Sequence, residues 1–410
     1  MGVVRWRSAL DEEITQTSSQ AVSKLDLEVL TALRLALYQL RKLDRIPPRA
    51  AIHESVELVK RARKRSAAPF VNAVLRKLAA APLPHPSTST EESFASPESL
   101  ARALAHPLWL VERWVRAYGL AAAHQICQYD QSVPATAIRL RDPAAENDLR
   151  AQGIDLAPGA LLASARRVST ANISPARALL AGQAVIQDEA SQLVAALVGR
   201  GSRILDGCAA PGGKTLAMAD SNPDATITAV ELHPHRARLL QKLLRSAAAS
   251  PAARPHNIQI ITADLQTAPL HATFDRVLVD VPCSGTGTLA RNPEIKWRLQ
   301  PEDLEDLRAR QLAILRSALT QVAPGGRLIY STCSLEKAEN ENVVEEVLEE
   351  ALKQNSTFRL IDVRPELDRL ESDGVLTWPD LASLTRGPFL RTLPGIHPCD
   401  GFFAAIFEKL

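Results

Sequence analysis

The sequence predicts a multidomain chain: an α-helical N-terminal domain, a small α+β middle unit, and an α/β domain that takes up the C-terminal half. Three observations predict it. Apolar residues recur at helical spacing through the first eighty residues, and a Pro- and Ser-rich segment then breaks the pattern. From about Gly182 onward, short β-rich runs alternate with helical stretches. A chain of 410 residues is also longer than one ordinary core supports.

In the first segment, residues 1–80, Leu30, Leu33, Leu37 and Leu40 recur on one helical face, and Ile52, Val56 and Val59 do so after the break at Pro47-Pro48. This end is basic: fifteen Lys/Arg against eight Asp/Glu give it a net +7, in a chain whose total is +2. The run K-R-A-R-K-R, Lys60 to Arg65, concentrates that charge. Such a cluster either releases counterions from a phosphate backbone or forms a solvated helix end, and composition alone leaves both readings open.

Residues 81–99, A-P-L-P-H-P-S-T-S-T-E-E-S-F-A-S-P-E-S, hold four prolines and no apolar period, which predicts a linker. Residues 100–181 predict the small α+β unit, with an amphipathic helix over His106 to Gly119 carrying Trp109 and Trp114, and a strand over Ala137 to Arg141. Residues 182–410 predict a Rossmann-like domain. Its runs R-I-L-D (203–206), T-I-T-A-V-E (226–231), I-Q-I-I-T-A-D (258–264), R-V-L-V-D (276–280) and R-L-I-Y-S (327–331) imply parallel strands with crossover helices. The run Phe402 to Phe407 closes the sheet as an antiparallel strand, and residues 358–398 carry no assignable pattern.

Several classes are excluded. The five cysteines are widely spaced, with no C-x-x-C pair and no neighbouring histidines at zinc-ligand spacing, so neither a disulfide scaffold nor a metal site is expected. The most apolar helical stretch, Val29 to Leu40, is short and contains Arg34, so no membrane span is expected. The start M-G-V-V-R-W-R-S lacks an apolar signal run and a myristoylation serine. A soluble cytoplasmic protein is the expectation.

Chemistry concentrates at strand ends. R-I-L-D leads into G-C-A-A-P-G-G-K-T, Gly207 to Thr215, a strand-to-helix turn in which glycines let backbone amides approach a ligand. The run nearly imitates a P-loop, so a nucleotide triphosphatase stays in view. Against it, Glu231 ends the second strand eighteen residues after Gly213, Asp264 ends the third and Asp280 the fourth. Three carboxylates along one sheet edge repel phosphates and suit an adenosine bearing a cationic sulfonium, which favours S-adenosylmethionine. Any one of them could equally cap a helix.

The stretch D-V-P-C-S-G-T-G-T, Asp280 to Thr288, and the stretch Y-S-T-C-S, Tyr330 to Ser334, each place a cysteine after a strand on this edge. A cytosine ring is unreactive toward methylation at C5 until a thiolate adds at C6, and two strand-end thiols beside Asp280 are suited to that covalent chemistry. A contact from Asp280 at the ring nitrogen N3 would assist the addition. One cysteine alone would read as a small apolar filler.

These blocks, with R-N-P-E-I-K-W, S-L-E-K-A-E-N-E, I-Q-D-E-A-S-Q (186–192) and D-G-F-F-A-A (400–405), resemble the signature of RNA cytosine-C5 methyltransferases of the bacterial Sun/Fmu type, a group that includes a 16S ribosomal RNA enzyme. The N-terminal L-R-L-A-L-Y-Q-L and F-V-N-A-V-L-R-K resemble the NusB-type helical RNA-binding domain, whose opening helices are expected either upstream of this start or to be absent from a reduced domain. The resemblance implies that Cys333 is the nucleophile, that Cys283 assists release of the methylated base and that Asp280 contacts the base. It also implies an S-adenosyl-L-methionine site formed by Cys208, Ala209, Ala210, Pro211, Gly212, Gly213, Lys214, Glu231, Asp264 and Asp280. The substrate implied is RNA, most directly 16S rRNA, and the enzyme implied is a monomer. In DNA cytosine methyltransferases the cysteine of the P-C block is the nucleophile, so residue types alone do not order the two thiols. Two other classes compete with this reading, a non-catalytic RNA-binding or antitermination factor and a nucleotide hydrolase using Gly207 to Thr215.

Overall fold

The computed structural model describes residues 1–81, 94–169, 173–248, 256–268, 270, 272–353 and 357–410. Residues 82–93, most of the expected linker, lie outside the described residues. Packing divides the chain into one unit of Met1–Ser132 with Leu289–Arg298, and a second of Val133–Thr288 with Leu299–Leu410.

The first unit is all-helical. Its helices are α1 (Gly2–Arg5), α2 (Arg7–Ser18), α3 (Leu27–Lys42), α4 (Pro48–Arg61), α5 (Ala68–Ala80), α6 (Pro97–Ala103), α7 (Leu108–Tyr118) and α8 (Leu120–Asp130). Pro48 and Pro69 occupy the first turns of α4 and α5, where a missing N–H costs nothing. Ser96 and Ser99 close a reciprocal cap at the start of α6. Most of the expected stripe is found: Leu30, Leu33, Leu37 and Val59 pack with Leu10, Ile14, Val71 and Leu75, Ile52 and Val56 lie partly buried against them, and Leu40 falls outside this cluster. In the basic run, Lys60 pairs with Glu57 and Lys64 with Asp26, while Arg61, Arg63 and Arg65 are exposed.

The segment Leu289–Arg298 is built into this unit. The Trp297 indole N–H donates to the Val4 carbonyl at 2.6 Å and the Arg5 guanidinium donates to the Ala290 carbonyl at 2.5 Å. Lys296 is 1% exposed. Burial pushes its pKa down to about 8, against the opposing charges of Asp130 and Cys127.

The second unit holds two sheets. A small antiparallel sheet runs β2 (Leu156–Pro158), β3 (Ala165–Val168), β1 (Thr136–Leu140), β4 (Ala184–Ile186). The expected middle unit is therefore divided: α6–α8 join the helical unit, and the sheet joins the larger one. The reason is pairing across a distance, since β4 lies beyond residue 181 yet pairs with β1 from Ile138↔Ile186 to Leu140↔Ala184.

Among the described residues the large sheet has nine strands. Five are parallel, in the order β7 (Asn257–Thr262), β6 (Thr226–Glu231), β5 (Arg203–Asp206), β8 (Phe274–Asp280), β9 (Val322–Thr332). β13 (Phe403–Lys409) adds antiparallel to β9, as the C-terminal run predicts, and β10 (Phe358–Ile361) and β12 (Phe389–Arg391) pair with β13, β11 (Thr385–Arg386) with β12. The third parallel strand ends at Thr262, so Asp264 sits in the turn beyond it rather than on its last residue.

Both faces are covered, as a parallel sheet requires. Ile204, Leu278 and Ile329 pack into one layer, while Leu205, Val277, Val279 and Leu328 pack into the other. Strand order reverses at β5, which places the ligand edge at the C-terminal ends of β5 and β8. No described helix is long and apolar enough to cross a membrane.

Candidate active site

The two thiols leave neighbouring parallel strands. Asp280 is the last residue of β8 and Cys283 follows it by three, while Cys333 directly follows β9. Their sulfur atoms lie 3.4 Å apart, and both residues are partly exposed. The hydrogen bond with Cys333 pushes the Cys283 thiol up, reinforced by burial and by the charges of Cys333, Glu339 and Asp280.

Asp280 is held from two sides. The Lys214 ammonium donates to Oδ2 at 2.6 Å and the Ser331 hydroxyl donates to Oδ1 at 2.8 Å. Burial opposes the charge on Lys214, but Asp280, Cys333 and Asp206 together hold its pKa above the usual lysine range. Its ammonium also lies 5.1 Å from the centre of the Phe402 ring.

The glycine-rich turn, Gly207 to Gly212, connects β5 to the helix Gly213–Ser221. Gly212 takes φ 111°, and a Cβ there would lie 2.5 Å from Leu240 Cδ1. Glu231 is buried at the end of β6; its carboxylate accepts the Ala210 N–H at 3.2 Å and the His233 N–H at 3.0 Å, which ties the turn to the second strand. Asp264 accepts the Gln266 N–H at 3.0 Å. Cys208 lies in the turn, its thiol pushed up by burial and by Asp206, Asp280 and Glu231.

The two side chains that a phosphate site would use are engaged elsewhere. Lys214 is paired with Asp280, and the Thr215 hydroxyl donates to Asp206 Oδ2 at 2.7 Å. A carboxylate-lined turn with its lysine neutralised disfavours a triphosphate and fits a cationic sulfonium ligand. The Gln187 side chain lies beside Gly213, and its buried amide oxygen has no hydrogen-bond partner among the described residues.

Sequence reasoning missed the groups that hold the thiols in place. Glu339 is fully buried and accepts from Ser284 N at 2.8 Å, from Gln311 Nε2 at 2.8 Å, and from the hydroxyls of Ser284 and Ser334. The Asn340 amide donates to the Ser334 carbonyl at 2.8 Å, and buried Arg391 donates to the same oxygen at 3.0 Å. Gly287 N–H donates to the Cys333 carbonyl at 2.9 Å, while Gly401 N–H donates to the Gly287 carbonyl at 2.7 Å. Asp206, buried at the end of β5, was also missed; burial raises its pKa to about 6, against the Thr215 hydrogen bond. The blocks at 186–192 and 400–405 meet as well: Asp188 accepts the Ala190 N–H that caps the helix Glu189–Leu197 and the Asp400 N–H.

A family model described as 16S rRNA methyltransferase RsmB/F matches residues 197–408, and a NusB family model matches residues 1–80. A relative from Bacillus subtilis, named probable ribosomal RNA small subunit methyltransferase B, is 34% identical over 93% of this chain and 83% of its own length. Among solved structures, PH0851 superposes with a TM-score of 0.79 at 22% identity, covering 99% of this chain and 88% of that one. A methyltransferase homolog from Pyrococcus horikoshii gives 0.60 at 23% identity, covering 77% and 99%. These two show the same fold. With just over half of its residues matched by the first model and a relative above 30% identity along nearly its whole length, the chain belongs to the RsmB/F family of S-adenosylmethionine-dependent 16S rRNA methyltransferases.

Proposed function

We propose that this enzyme transfers a methyl group to C5 of a cytosine in 16S rRNA through a covalent intermediate. The observation that carries the reading is the pair of strand-end thiols 3.4 Å apart beside the Lys214–Asp280 ion pair. Cys333 adds to C6 of the target ring, which makes C5 electron-rich, and Asp280 contacts the base at N3. Bound S-adenosylmethionine supplies an electrophilic methyl group. Cys208 to Lys214, Glu231, Asp264 and Asp280 would hold it at the C-terminal edge of the sheet. Cys283, within reach of the same ring, assists the loss of the C5 proton and the breaking of the C6–S bond, which returns Cys333 and frees the methylated base. The target base leaves its stack to enter such a site.

The test compares wild type, Cys333→Ala and Cys283→Ala, each incubated with small-subunit rRNA and methyl-labelled S-adenosylmethionine and run on denaturing gels. The reading expects labelled RNA from wild type, nothing from Cys333→Ala, and a protein–RNA adduct from Cys283→Ala. An adduct that appears with Cys333→Ala instead exchanges the two roles. A wild type that labels no RNA sinks the proposal.

A further inference from the structure

The two thiols sit on separate loops, so something must set their spacing. Residues 281–287 follow β8 and residues 333–340 follow β9, and each cysteine is followed by a serine, Ser284 and Ser334. Both serine hydroxyls donate to one carboxylate oxygen of Glu339, and the Ser284 backbone N–H donates to the other at 2.8 Å. Gln311 closes the arrangement: its amide donates to Glu339 at 2.8 Å and to the Pro282 carbonyl, one residue before Cys283, at 2.9 Å.

We propose that Glu339 is a positioning residue that fixes the Cys283 loop against the Cys333 loop and so sets the rate at which the covalent adduct is released. The inference rests on the covalent reading above. A carboxylate buried away from water is costly unless its lone pairs are filled, and here four donors drawn from both loops and the helix Asp303–Thr320 fill them. Such an arrangement is stiff, because moving either loop alone strands a buried charge. The two hydroxyls also lie 3.0 Å apart, so the carboxylate works as a clasp between the residues next to the two sulfur atoms. The negative charge acts on the second thiol too: Glu339 is among the groups that keep Cys283 protonated. Adduct formation needs Cys333 and the base. Release needs Cys283 placed against the same ring, and is the step that a loosened clasp slows.

Glu339→Gln keeps the shape but turns an N–H₂ group toward donors, which breaks part of the clasp. With small-subunit rRNA and labelled S-adenosylmethionine, the expected result is an adduct that forms within about threefold of the wild-type rate and decays about tenfold more slowly, the loss of roughly one well-made hydrogen bond to a charged group. Glu339→Asp should recover part of the release rate. A purely structural role would slow formation and release together, and that outcome overturns the proposal. Where Glu339→Gln fails to fold, Ser284→Ala removes one donor and reads the same ratio: slower release at unchanged formation supports the clasp, unchanged release removes it. Cys283→Ala run in parallel separates the two levels. If it traps no adduct, the covalent reading itself falls; if it traps adduct while Glu339→Gln releases normally, only the role of Glu339 falls.

Discussion

Replacing Gly287 by alanine would test how tightly the loops around the two thiols are joined. A Cβ at this position would lie 2.1 Å from the Gly401 carbonyl oxygen, 2.7 Å from its carbon and 2.9 Å from the Cys333 carbonyl oxygen. All three are backbone atoms, so no side chain can rotate away, and relief requires the loops to separate by about 1 Å to reach ordinary contact. That motion breaks or stretches the Gly287–Cys333 and Gly401–Gly287 hydrogen bonds, of 2.9 and 2.7 Å. Two buried hydrogen bonds at about 1 kcal/mol each, with about 1–2 kcal/mol of strain, give a loss of about 3–4 kcal/mol. For a unit of this size that lowers the melting temperature by roughly 6–16 °C. Gly325→Ala is the control: its φ of +70° strains any side chain, but nothing lies within 4 Å of the added methyl, so it should lose only about 1 kcal/mol. The assay is urea denaturation of both variants together with methyl transfer to small-subunit rRNA. A Gly287→Ala enzyme as stable and active as wild type, or one no worse than Gly325→Ala, would refute the packing argument.

Asp206 makes a pH prediction. Its folded pKa, about 6, lies above the unfolded value of 3.8, so its favourable contribution to folding is complete below pH 3.8 and is lost as pH rises through 6. The difference amounts to about 3 kcal/mol against the folded state at neutral pH. Asp206→Asn should therefore flatten the stability–pH curve between pH 4 and 6.5, measured as urea midpoints; an unchanged slope would show that Asp206 does not titrate in that window. The paired thiols make an oxidation prediction. Hydrogen peroxide should convert one thiol to a sulfenic acid with release of water, and attack by the other should expel a second water and leave a disulfide between Cys283 and Cys333. Intact mass should fall by about 2 Da and methyl transfer should stop, both restored by dithiothreitol. Cys283→Ala should show no such loss of two hydrogens, and a wild type that only gains oxygen would contradict the geometry.

The parallel core of the sheet was legible because each buried strand is a short β-rich run: β5, β6, β8 and β9 fall on the runs read from sequence. The motifs that carry the candidate residues were legible at strand ends, since parallel strands deliver their C-termini to one edge. The division of the middle region was not, because β4 pairs with β1 across more than forty residues and nothing local records such pairing. Residues 358–398 stayed unread because β11 and β12 span two and three residues, too short for any period to show, and because the helix Arg364–Ser372 buries only Leu367 and Leu370, too few apolar residues to mark a stripe. Glu339 escaped for a different reason. In L-E-K-A-E-N-E it has the composition of a solvated turn, and only the fold reveals that its carboxylate is buried among donors.

The ten residues Leu289–Arg298 bear on how far this protein can be taken apart. Family models mark a NusB module at one end and a methyltransferase module at the other, as though each could be lifted out whole. The polypeptide does not respect that seam: directly after the loop carrying Cys283 it enters the helical unit, leaves Lys296 and the Trp297 indole N–H there, and returns at Leu299. Cutting away the first 132 residues would strand a buried lysine and an indole N–H on the catalytic remainder, so a clean excision needs this excursion redesigned along with the cut.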